Sequence, residues 1–378
     1  MSTSAPNYIM IGGFLGAGKS TSVIRLAEYL RDRGRKVGLI TNDQGAGLVD
    51  TELVRWKGFA VEEIADGCFC CRFDSLIEAA NNLAKETTPD VFIAEPVGSC
   101  TDLVSAVTVP LRQIYGQSFR VAPLSVLVDP IRAMQILGVE GEDRFSHTVE
   151  YIYLKQLEEG HAIVVNKRDL LSEAQLASLT AALGQRFPGV RIFTVSARTG
   201  EGLDEWFEWV STNEQPEGEA MELDYNLYAE GEAMLGWLNA SARVTARRPF
   251  DGKQLMMFIA REIHSGLVAM GYEVAHLKMS LSDEDRQREM AVLNLVRNDF
   301  EPEIIVSNLQ PLTGGLLTLN IRAEAPPEWL RRVTLEAIER RNQTYESLSI
   351  EVQNIVNFRP SPPRPTHRAT NYTTAEVS

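Results

Sequence analysis

A glycine-rich turn near the start of the chain is the feature that most constrains its fold. It reads Gly13-Phe-Leu-Gly16-Ala-Gly18-Lys19-Ser20 and fits the pattern G-x-x-x-x-G-K-[ST]. The apolar run Tyr8–Ile11 precedes it and the amphipathic segment Thr21–Arg33 follows it, so the turn joins a predicted strand to a predicted helix. Inward-facing backbone N–H groups and the helix N-terminus then predict a phosphate-binding loop. The alternative is a glycine-rich turn that holds no ligand, which the strand–helix context disfavours.

The residues of this loop receive individual roles. Lys19 reaches the β- and γ-phosphates, and the Ser20 hydroxyl ligates Mg²⁺. The predicted nucleotide-binding residues of the loop are Gly13, Gly16, Ala17, Gly18, Lys19, Ser20 and Thr21.

Short apolar, β-branched runs alternate with helical patterns through the first 210 residues. They are Tyr8–Ile11, Val37–Thr41, Val91–Ala94, Pro123–Val128, Ile163–Asn166 and Arg191–Val195. This alternation is typical of a parallel sheet covered by helices on both faces. We therefore predict an α/β fold, a P-loop NTPase with a mostly parallel sheet flanked by helices, over residues 8–210. A disordered N-terminus at 1–7 precedes it, and a polar linker at 211–222 follows it.

The region 223–358 has a different order of elements. A strand–helix–strand pattern occurs twice, which predicts a smaller ferredoxin-like α+β domain, with the charged segment Asp283–Asn298 as an inserted helix. The last residues, 359–378, are rich in Pro and Thr and are predicted to be disordered.

The charge balance limits the partners. With 37 basic and 51 acidic residues the formal charge is −14, which argues against binding to nucleic acid or an anionic membrane. The start of the chain lacks a cationic leader, and no window approaches the roughly 18 uninterrupted apolar residues of a membrane span. We expect a cytoplasmic protein with reduced thiols. The sequence leaves room for a homodimer.

A second motif addresses the base of the nucleotide. Asn166-Lys167-Arg168-Asp169 follows a predicted strand, as the N-K-x-D element of GTPases does. A carboxylate at Asp169 accepts from the ring N–H and the amine of guanine, whereas adenine would leave it unpaired. After the next strand, Ser196 and Ala197 resemble a loop whose backbone amide contacts guanine. A solvated charged turn is the alternative; GTP is the favoured ligand.

Glu95-Pro-Val-Gly98 lies between these motifs, where a GTPase carries an acidic residue and then a glycine that senses the γ-phosphate. We predict that Glu95 helps to hold Mg²⁺ and that Gly98 binds nucleotide. The alternative is an ordinary strand-to-loop turn.

Three cysteines within four positions predict a metal site. Cys68, Cys70 and Cys71 precede an amphipathic helix, and their thiolates can converge on one ion. Three ligands are one short of a closed Cys₄ zinc site, and soft sulfur favours zinc, copper(I) or a related transition metal. The alternatives are a buried cluster of reduced thiols and a vicinal Cys70–Cys71 disulfide.

Together these motifs resemble the CobW-like metallochaperone GTPases, relatives of the nickel-delivery GTPases of urease and hydrogenase maturation. The resemblance covers about residues 8–210. It implies GTP hydrolysis, with Mg²⁺, coupled to binding and handing over a transition metal, zinc or cobalt. It further implies a client metalloprotein or a cobalt or corrinoid pathway protein as partner.

The resemblance also assigns catalytic roles to Lys19, Asp43 and Glu95. Asp43 is the acid retained in the first switch, where the family's second acid is replaced by Ala46. The usual Glu-x-Thr-Gly is here Glu95-Pro-Val-Gly98, and the His-rich tract of the family is absent.

Two further hypotheses stay open: a GTP-switched assembly or reactivation factor for a corrinoid or other metalloenzyme that carries no metal itself, and, more weakly, a P-loop small-molecule kinase. Cys100 could approach the thiolate cluster, and His264 and His276 could approach each other and hold a metal. A buried structural thiol is favoured for Cys100, and satisfied or solvated imidazoles are favoured for His264 and His276.

Overall fold

The computed structural model describes residues 5–43, 45, 47–65, 67–116, 118–141, 144–283, 289–344, 347–369 and 371–372. They form two units. Unit 1 comprises Met1–Gln44, Gly58–Ala229 and Pro363–Ser378, and unit 2 comprises Gly45–Lys57 and Glu230–Pro362.

The elements alternate strand and helix through the first half of the chain. In order they are β1 (Asn7–Gly13), α1 (Lys19–Asp32), β2 (Val37–Asn42), α2 (Val49–Trp56), β3 (Ala60–Ile64), α3 (Phe73–Thr87), β4 (Val91–Glu95), a π-helix (Val104–Thr108), α4 (Val109–Tyr115), β5 (Arg120–Val121), β6 (Ser125–Val128), α5 (Pro130–Ile136), α6 (His147–Glu159), β7 (Ala162–Val165), a 3₁₀-helix (Arg168–Leu170), α7 (Glu173–Arg186), β8 (Arg191–Thr194) and α8 (Leu203–Thr212).

The second half is dominated by longer strands. Its elements are β9 (Gly218–Glu219), α9 (Tyr225–Met234), β10 (Gly236–Phe250), α10 (Gly252–Val268), β11 (Glu273–Ser282), β12 (Met290–Leu295), β13 (Glu303–Ser307), β14 (Leu312–Glu324), α11 (Pro327–Thr344), β15 (Leu348–Phe358) and β16 (Asn371–Tyr372).

Unit 1 is built on a parallel sheet with the strand order β3-β2-β4-β1-β6-β7-β8, and β5 also pairs with β1. Every residue of β1 is buried, as expected for a central strand covered on both faces. Because the strands are parallel, the loops after them meet at one edge of the sheet. The predicted P-loop α/β class is confirmed, and this edge collects the predicted site residues.

Unit 2 contains a six-stranded antiparallel sheet with the order β13-β12-β11-β14-β10-β15. The order β11-β14-β10-β15, with helices α10 and α11, is the predicted ferredoxin-like arrangement. The apolar faces of α10 and α11 pack against the sheet and form the core of the unit.

One predicted element is wrong. The segment Asp283–Asn298 was expected to be a charged helix, but Met290–Leu295 is the strand β12. Its six residues pair with β11, and Ala291, Leu293 and Leu295 are buried in the core. Burial of this apolar run favours the strand despite the charged residues that precede it in the sequence. Residues 284–288 lie outside the described residues.

Helix α2 lies between β2 and β3 in the chain but packs within unit 2. Glu52 accepts hydrogen bonds from Ser280 Oγ at 2.5 Å and Thr318 Oγ1 at 2.9 Å, and Lys278 Nζ lies 2.6 Å from Asp50 Oδ2. These polar contacts join α2 to β11 and β14, so the division differs from the prediction, which gave residues 45–57 to the first domain.

The end of the chain also differs from its prediction. Residues 363–369, expected to be disordered, pack in unit 1, and Asn371 and Tyr372 pair with β9. Specific hydrogen bonds, described below, hold this segment although it has few apolar residues.

Candidate nucleotide and metal site

The loop between β1 and α1 has a backbone that requires glycine. Gly13 and Gly18 have φ values of +126° and +92°. A Cβ atom at Gly13 would lie 2.3 Å from Leu127 O, and one at Gly18 would lie 2.4 Å from Asn166 Nδ2. Lys19 begins α1 and donates to the Phe14 carbonyl at 3.3 Å, so its ammonium group curls over the loop. Backbone and lysine thus form the cradle expected for phosphate.

The oxygen ligands that Mg²⁺ needs lie beside this cradle. Ser20 Oγ donates to Glu95 Oε1 at 2.9 Å. Glu95 ends β4, where it is in register with Thr41 of β2, and Asp43 is buried just beyond the end of β2. A hydroxyl and a carboxylate side by side fit a hard divalent cation, and Ser20 and Glu95 would hold it.

The loop after β7 is tied to the phosphate loop. Asn166 Nδ2 donates to Ala17 O at 2.9 Å, and Asn166 Oδ1 accepts from Ala197 N at 2.9 Å. The side chain therefore links three loops at the sheet edge. Because the Ala197 amide already bonds to Asn166, its predicted contact with guanine would have to compete with that bond.

Lys167 and Asp169 have distinct positions in the same motif. Lys167 adopts a left-handed backbone, φ +55°, and its Nζ lies 2.7 Å from Gly16 O and 2.8 Å from Asp129 Oδ2. Lys167 thus connects the phosphate loop to Asp129. Asp169 is exposed on the 3₁₀-helix after β7, where its carboxylate is accessible to an incoming base.

Gly98 packs directly against the phosphate loop. A Cβ atom there would lie 3.0 Å from Lys19 Nζ and 2.6 Å from Leu15 Cδ2. Gln156 Nε2, on α6, donates to both Gly98 O at 3.0 Å and Cys100 O at 2.8 Å. The segment from Gly98 to Cys100 is therefore held at both ends by one buried side chain.

The residues that follow Cys100 are hydrogen-bonded to the buried carboxyl group of Glu159. Thr101 Oγ1 and the Val104 amide each donate to Glu159 at 3.1 Å. Burial raises the pKa of Glu159 to about 8, an effect to which the Asp102 carboxylate adds and which the Val104 amide opposes. Glu159 is therefore largely protonated at neutral pH.

The three predicted metal ligands converge after β3. Cys68 Sγ lies 2.9 Å from Cys70 Sγ and 3.1 Å from Cys71 Sγ, and the other pair is 3.7 Å apart. All four cysteines of the chain are free thiols, so a Cys70–Cys71 disulfide is not formed. Thiolates around a tetrahedral zinc ion lie about 3.8 Å apart, given Zn–S bonds of about 2.3 Å. The cluster fits such an ion after a small expansion.

Side-chain hydrogen bonds couple the thiols of the cluster to one another. The bonds with Cys100, Cys70 and Cys71 lower the pKa of Cys68. The bond with Cys68 raises the pKa of Cys71 to about 11. A metal ion would displace the remaining protons.

Asn42, the last residue of β2, holds the cysteine loop in place. Its Nδ2 donates to Ile64 O at 3.0 Å and to Gly67 O at 2.7 Å, and its Oδ1 accepts from Phe69 N at 3.0 Å. No sequence motif indicates this role of Asn42, although the neighbouring Asp43 is one of the predicted site residues. A polar residue ending a buried strand was the available signal.

The C-terminal segment 363–369 covers the cysteine loop. The Arg364 amide donates to Cys71 Sγ at 3.2 Å, and the Thr366 amide donates to Cys70 O at 2.8 Å. Farther along, Arg368 Nε lies 2.7 Å from Asp102 Oδ2. We call residues 363–369 the C-terminal strap. No sequence motif predicts that these residues pack on the cysteine loop.

The histidines left without a role do not join this site. His264 Nε2 contacts the Asn298 carbonyl at 3.1 Å, and His276 is buried on β11. Within the described ranges, the three cysteines are the one group of three or more potential ligand side chains whose donor atoms all lie within 4.8 Å of one another. The same part of the chain contains no helix with the length and apolar character to cross a membrane.

The order and geometry of these loops agree with a comparison against known families. The model of the CobW/HypB/UreG nucleotide-binding domain matches residues 7–193. This chain carries a CobW/HypB/UreG nucleotide-binding domain. The resemblance found in its motifs is thereby confirmed.

Curated relatives of the CobW/HypB/UreG domain include three proteins whose names mention zinc. The zinc chaperone YeiR of Escherichia coli (strain K12) is 33% identical over 90 residues, which cover 24% of this chain and 27% of YeiR. Zinc-regulated GTPase metalloprotein activator 1 of Dictyostelium discoideum is 26% identical over 215 residues, 48% of this chain and 44% of the relative. The zinc chaperone YjiA of Escherichia coli (strain K12) is 24% identical over 196 residues, 50% of this chain and 56% of YjiA. The chain thus spans less than two thirds of each relative.

Proposed function

We propose that the protein is a GTP-hydrolysing metallochaperone that binds a transition metal at Cys68, Cys70 and Cys71. One observation carries the proposal. Asn42 ends β2 and holds the cysteine loop, while Glu95 ends the adjacent strand β4 and bonds to Ser20 of the phosphate loop. Neighbouring strand ends thus serve both sites, so a change at the nucleotide can reach the metal ligands.

Hydrolysis needs charge placed around the γ-phosphate. Lys19 and the loop amides bind the phosphates, and Asp169 accepts from guanine. Asp43 and Glu95 orient the attacking water, whose oxygen bonds to the γ-phosphorus as the bridging oxygen departs with GDP. Mg²⁺, when bound at Ser20 and Glu95, supplies neutralisation of the developing charge.

Zinc is the favoured cargo, with cobalt second. Thiolate ligands bind both ions, and three relatives of the CobW/HypB/UreG domain carry zinc in their names. The delivery step would serve a client metalloprotein, or, with cobalt, a corrinoid pathway protein. A reduced thiol cluster also suits the cytoplasm, where thiols stay reduced.

The nucleotide part of the proposal is tested at Asp169. Asp169→Asn should weaken GTP binding by about 2–4 kcal/mol, roughly 30- to 1000-fold, because a charged hydrogen-bond pair to guanine is lost. Xanthosine triphosphate should bind the variant better, since the amide can donate to the carbonyl of xanthine. Asp32→Asn, at the exposed far end of α1, is the matched control. Unchanged GTP affinity in Asp169→Asn, measured by calorimetry, would count against GTP as the ligand.

The metal part is tested by titrating the apo-protein with Zn²⁺ and Co²⁺, with a GTP analogue or GDP bound. The two states should differ in metal affinity, because coupling is reciprocal between the ligands. Equal affinities would refute a GTP-controlled chaperone. Serine at all three cysteines should abolish binding; client activation that survives this change would favour the metal-free assembly factor instead.

A further inference from the structure

Cys100 brings a fourth sulfur to the cysteine cluster. It lies in the loop after β4, five positions beyond Glu95, and only 1% of its surface is exposed. Its thiol forms side-chain hydrogen bonds with both Cys68 and Cys70. The contact is not local, because the Cys68–Cys71 loop follows β3 whereas Cys100 follows β4, and β2 separates these strands.

The coordination chemistry of zinc suggests what the contact between Cys100 and the cysteine loop does. Zinc bound by protein thiolates takes four ligands in a tetrahedron, and the Cys68–Cys71 loop supplies three. A buried fourth thiol lies next to Cys68 and Cys70 but outside the group of three whose sulfurs all lie within 4.8 Å of one another, so it would have to move toward Cys71 to complete the tetrahedron. Cys68 and Cys70 are 4% and 2% exposed, so water has little access on that side of the cluster.

We propose that Cys100 is the fourth thiolate ligand of the cargo ion, and that the nucleotide state decides whether it is bound. This proposal rests on the proposed function, since it assumes that the three-cysteine loop takes up an ion. It goes further by closing the coordination shell with a residue of the γ-phosphate-sensing segment.

The path from nucleotide to Cys100 is short. Gly98 contacts Lys19 of the phosphate loop, and Gln156 bonds to the carbonyls of both Gly98 and Cys100. A shift of Gly98 after loss of the γ-phosphate therefore carries Cys100 with it. On binding, the ion displaces the thiol protons; on detachment, the Cys100 sulfur takes up one proton from solvent and the ion keeps three thiolates.

A four-thiolate site by itself binds zinc tightly and releases it slowly, which suits a structural ion. A chaperone must also let its cargo go. Placing one ligand on the segment that follows the nucleotide resolves this conflict: four thiolates hold the ion with GTP, and three hold it after hydrolysis.

The experiment is X-ray absorption at the zinc edge of the 378-residue chain loaded with one equivalent of Zn²⁺. With a non-hydrolysable GTP analogue we expect four sulfur neighbours at about 2.3 Å. With GDP, or in Cys100→Ser with the analogue, we expect three sulfurs and one oxygen or nitrogen. Zinc affinity, measured against a chelating dye, should fall at least tenfold in both cases, as loss of even an outer partner costs about 10–100-fold.

Two variants serve as controls. Cys71→Ser should also lose one sulfur, whereas Ser99→Ala, at the adjacent buried position, should keep all four. Circular dichroism and GDP binding check that Cys100→Ser is folded. If it is not folded, the sulfur count of the wild-type protein decides alone.

The outcomes separate the two proposals. Three sulfurs in the wild-type protein with the GTP analogue would overturn the role of Cys100 and leave the three-cysteine chaperone standing. Four sulfurs with both nucleotides would overturn the nucleotide control. No bound zinc in the wild-type protein would overturn the proposed function itself.

Discussion

The buried carboxyl group of Glu159 makes stability depend on pH in a way that one substitution should remove. Its pKa is raised by burial from an ordinary 4.5 to about 8. Between these values the folded protein binds a proton that the unfolded chain has lost. Stability therefore falls as the pH rises through this window. Glu159→Gln cannot titrate, and it keeps a carbonyl oxygen for the Val104 amide and an NH₂ group for the Thr101 hydroxyl.

The size of the effect follows from the width of the window. One proton contributes about 1.4 kcal/mol per pH unit, so about 3.5 units give an upper limit of about 5 kcal/mol. Half of that limit shifts a melting temperature by about 5–10 °C in a unit of this size. Relative to wild type, Glu159→Gln should thus gain stability between pH 5 and about pH 8, and the difference should level off at higher pH.

Scanning calorimetry of the full chain across this pH range measures the effect. Unit 1 carries the proposed nucleotide site, so its transition is the one that we expect GDP to shift upward. Glu158→Gln is the matched control, since it removes an exposed carboxylate from the same helix, where Glu158 pairs with Lys155 at 2.8 Å. Parallel pH curves for wild type and Glu159→Gln would refute the reasoning.

Three shorter predictions test other parts of unit 1. Gly18→Ala should weaken GDP binding more than tenfold, because the added Cβ would lie 2.4 Å from Asn166 Nδ2. Gly34→Ala is the control, since Gly34 also has a positive φ but has open space around it, and it should leave GDP binding unchanged. Titration with fluorescent GDP compares the two variants. Asn42→Ala should lower zinc affinity by about 10–100-fold, because three hydrogen bonds that hold the cysteine loop are lost. If competition with a chelating dye gives the same zinc affinity as for wild type, Asn42 does not position the metal ligands. Arg368→Ala should speed amide exchange in the C-terminal strap, which mass spectrometry detects; equal exchange would mean that its ion pair with Asp102 does not hold the strap.

Much of unit 1 could be predicted because its signals are local. The glycines at 13 and 18 are needed by a turn whose neighbours in sequence build it, and the buried strands are continuous apolar runs. The motif ending at Asp169 was found for the same reason. Parallel strands then bring these separate loops to one edge without further information from the sequence.

The errors and omissions come from contacts that are distant in sequence. Met290–Leu295 became a strand because β11 was available to pair with it, and no local pattern states that. Helix α2 packs in unit 2 through polar bonds from Glu52 to residues more than two hundred positions away. Asn42 and Cys100 gain their meaning only when the cysteine loop is brought beside them.

During synthesis, the C-terminal strap is made long after the cysteine loop that it covers. Arg364 follows Cys71 by 293 positions. At about 5–20 residues per second, a ribosome needs about 15–60 s to cover that distance. During this interval the rest of unit 1 can fold while the cysteine loop lacks its hydrogen bonds to the strap. An ion that enters then meets no strap, whereas an ion that arrives at the finished protein must displace one, so newly made and mature molecules should load metal at different rates.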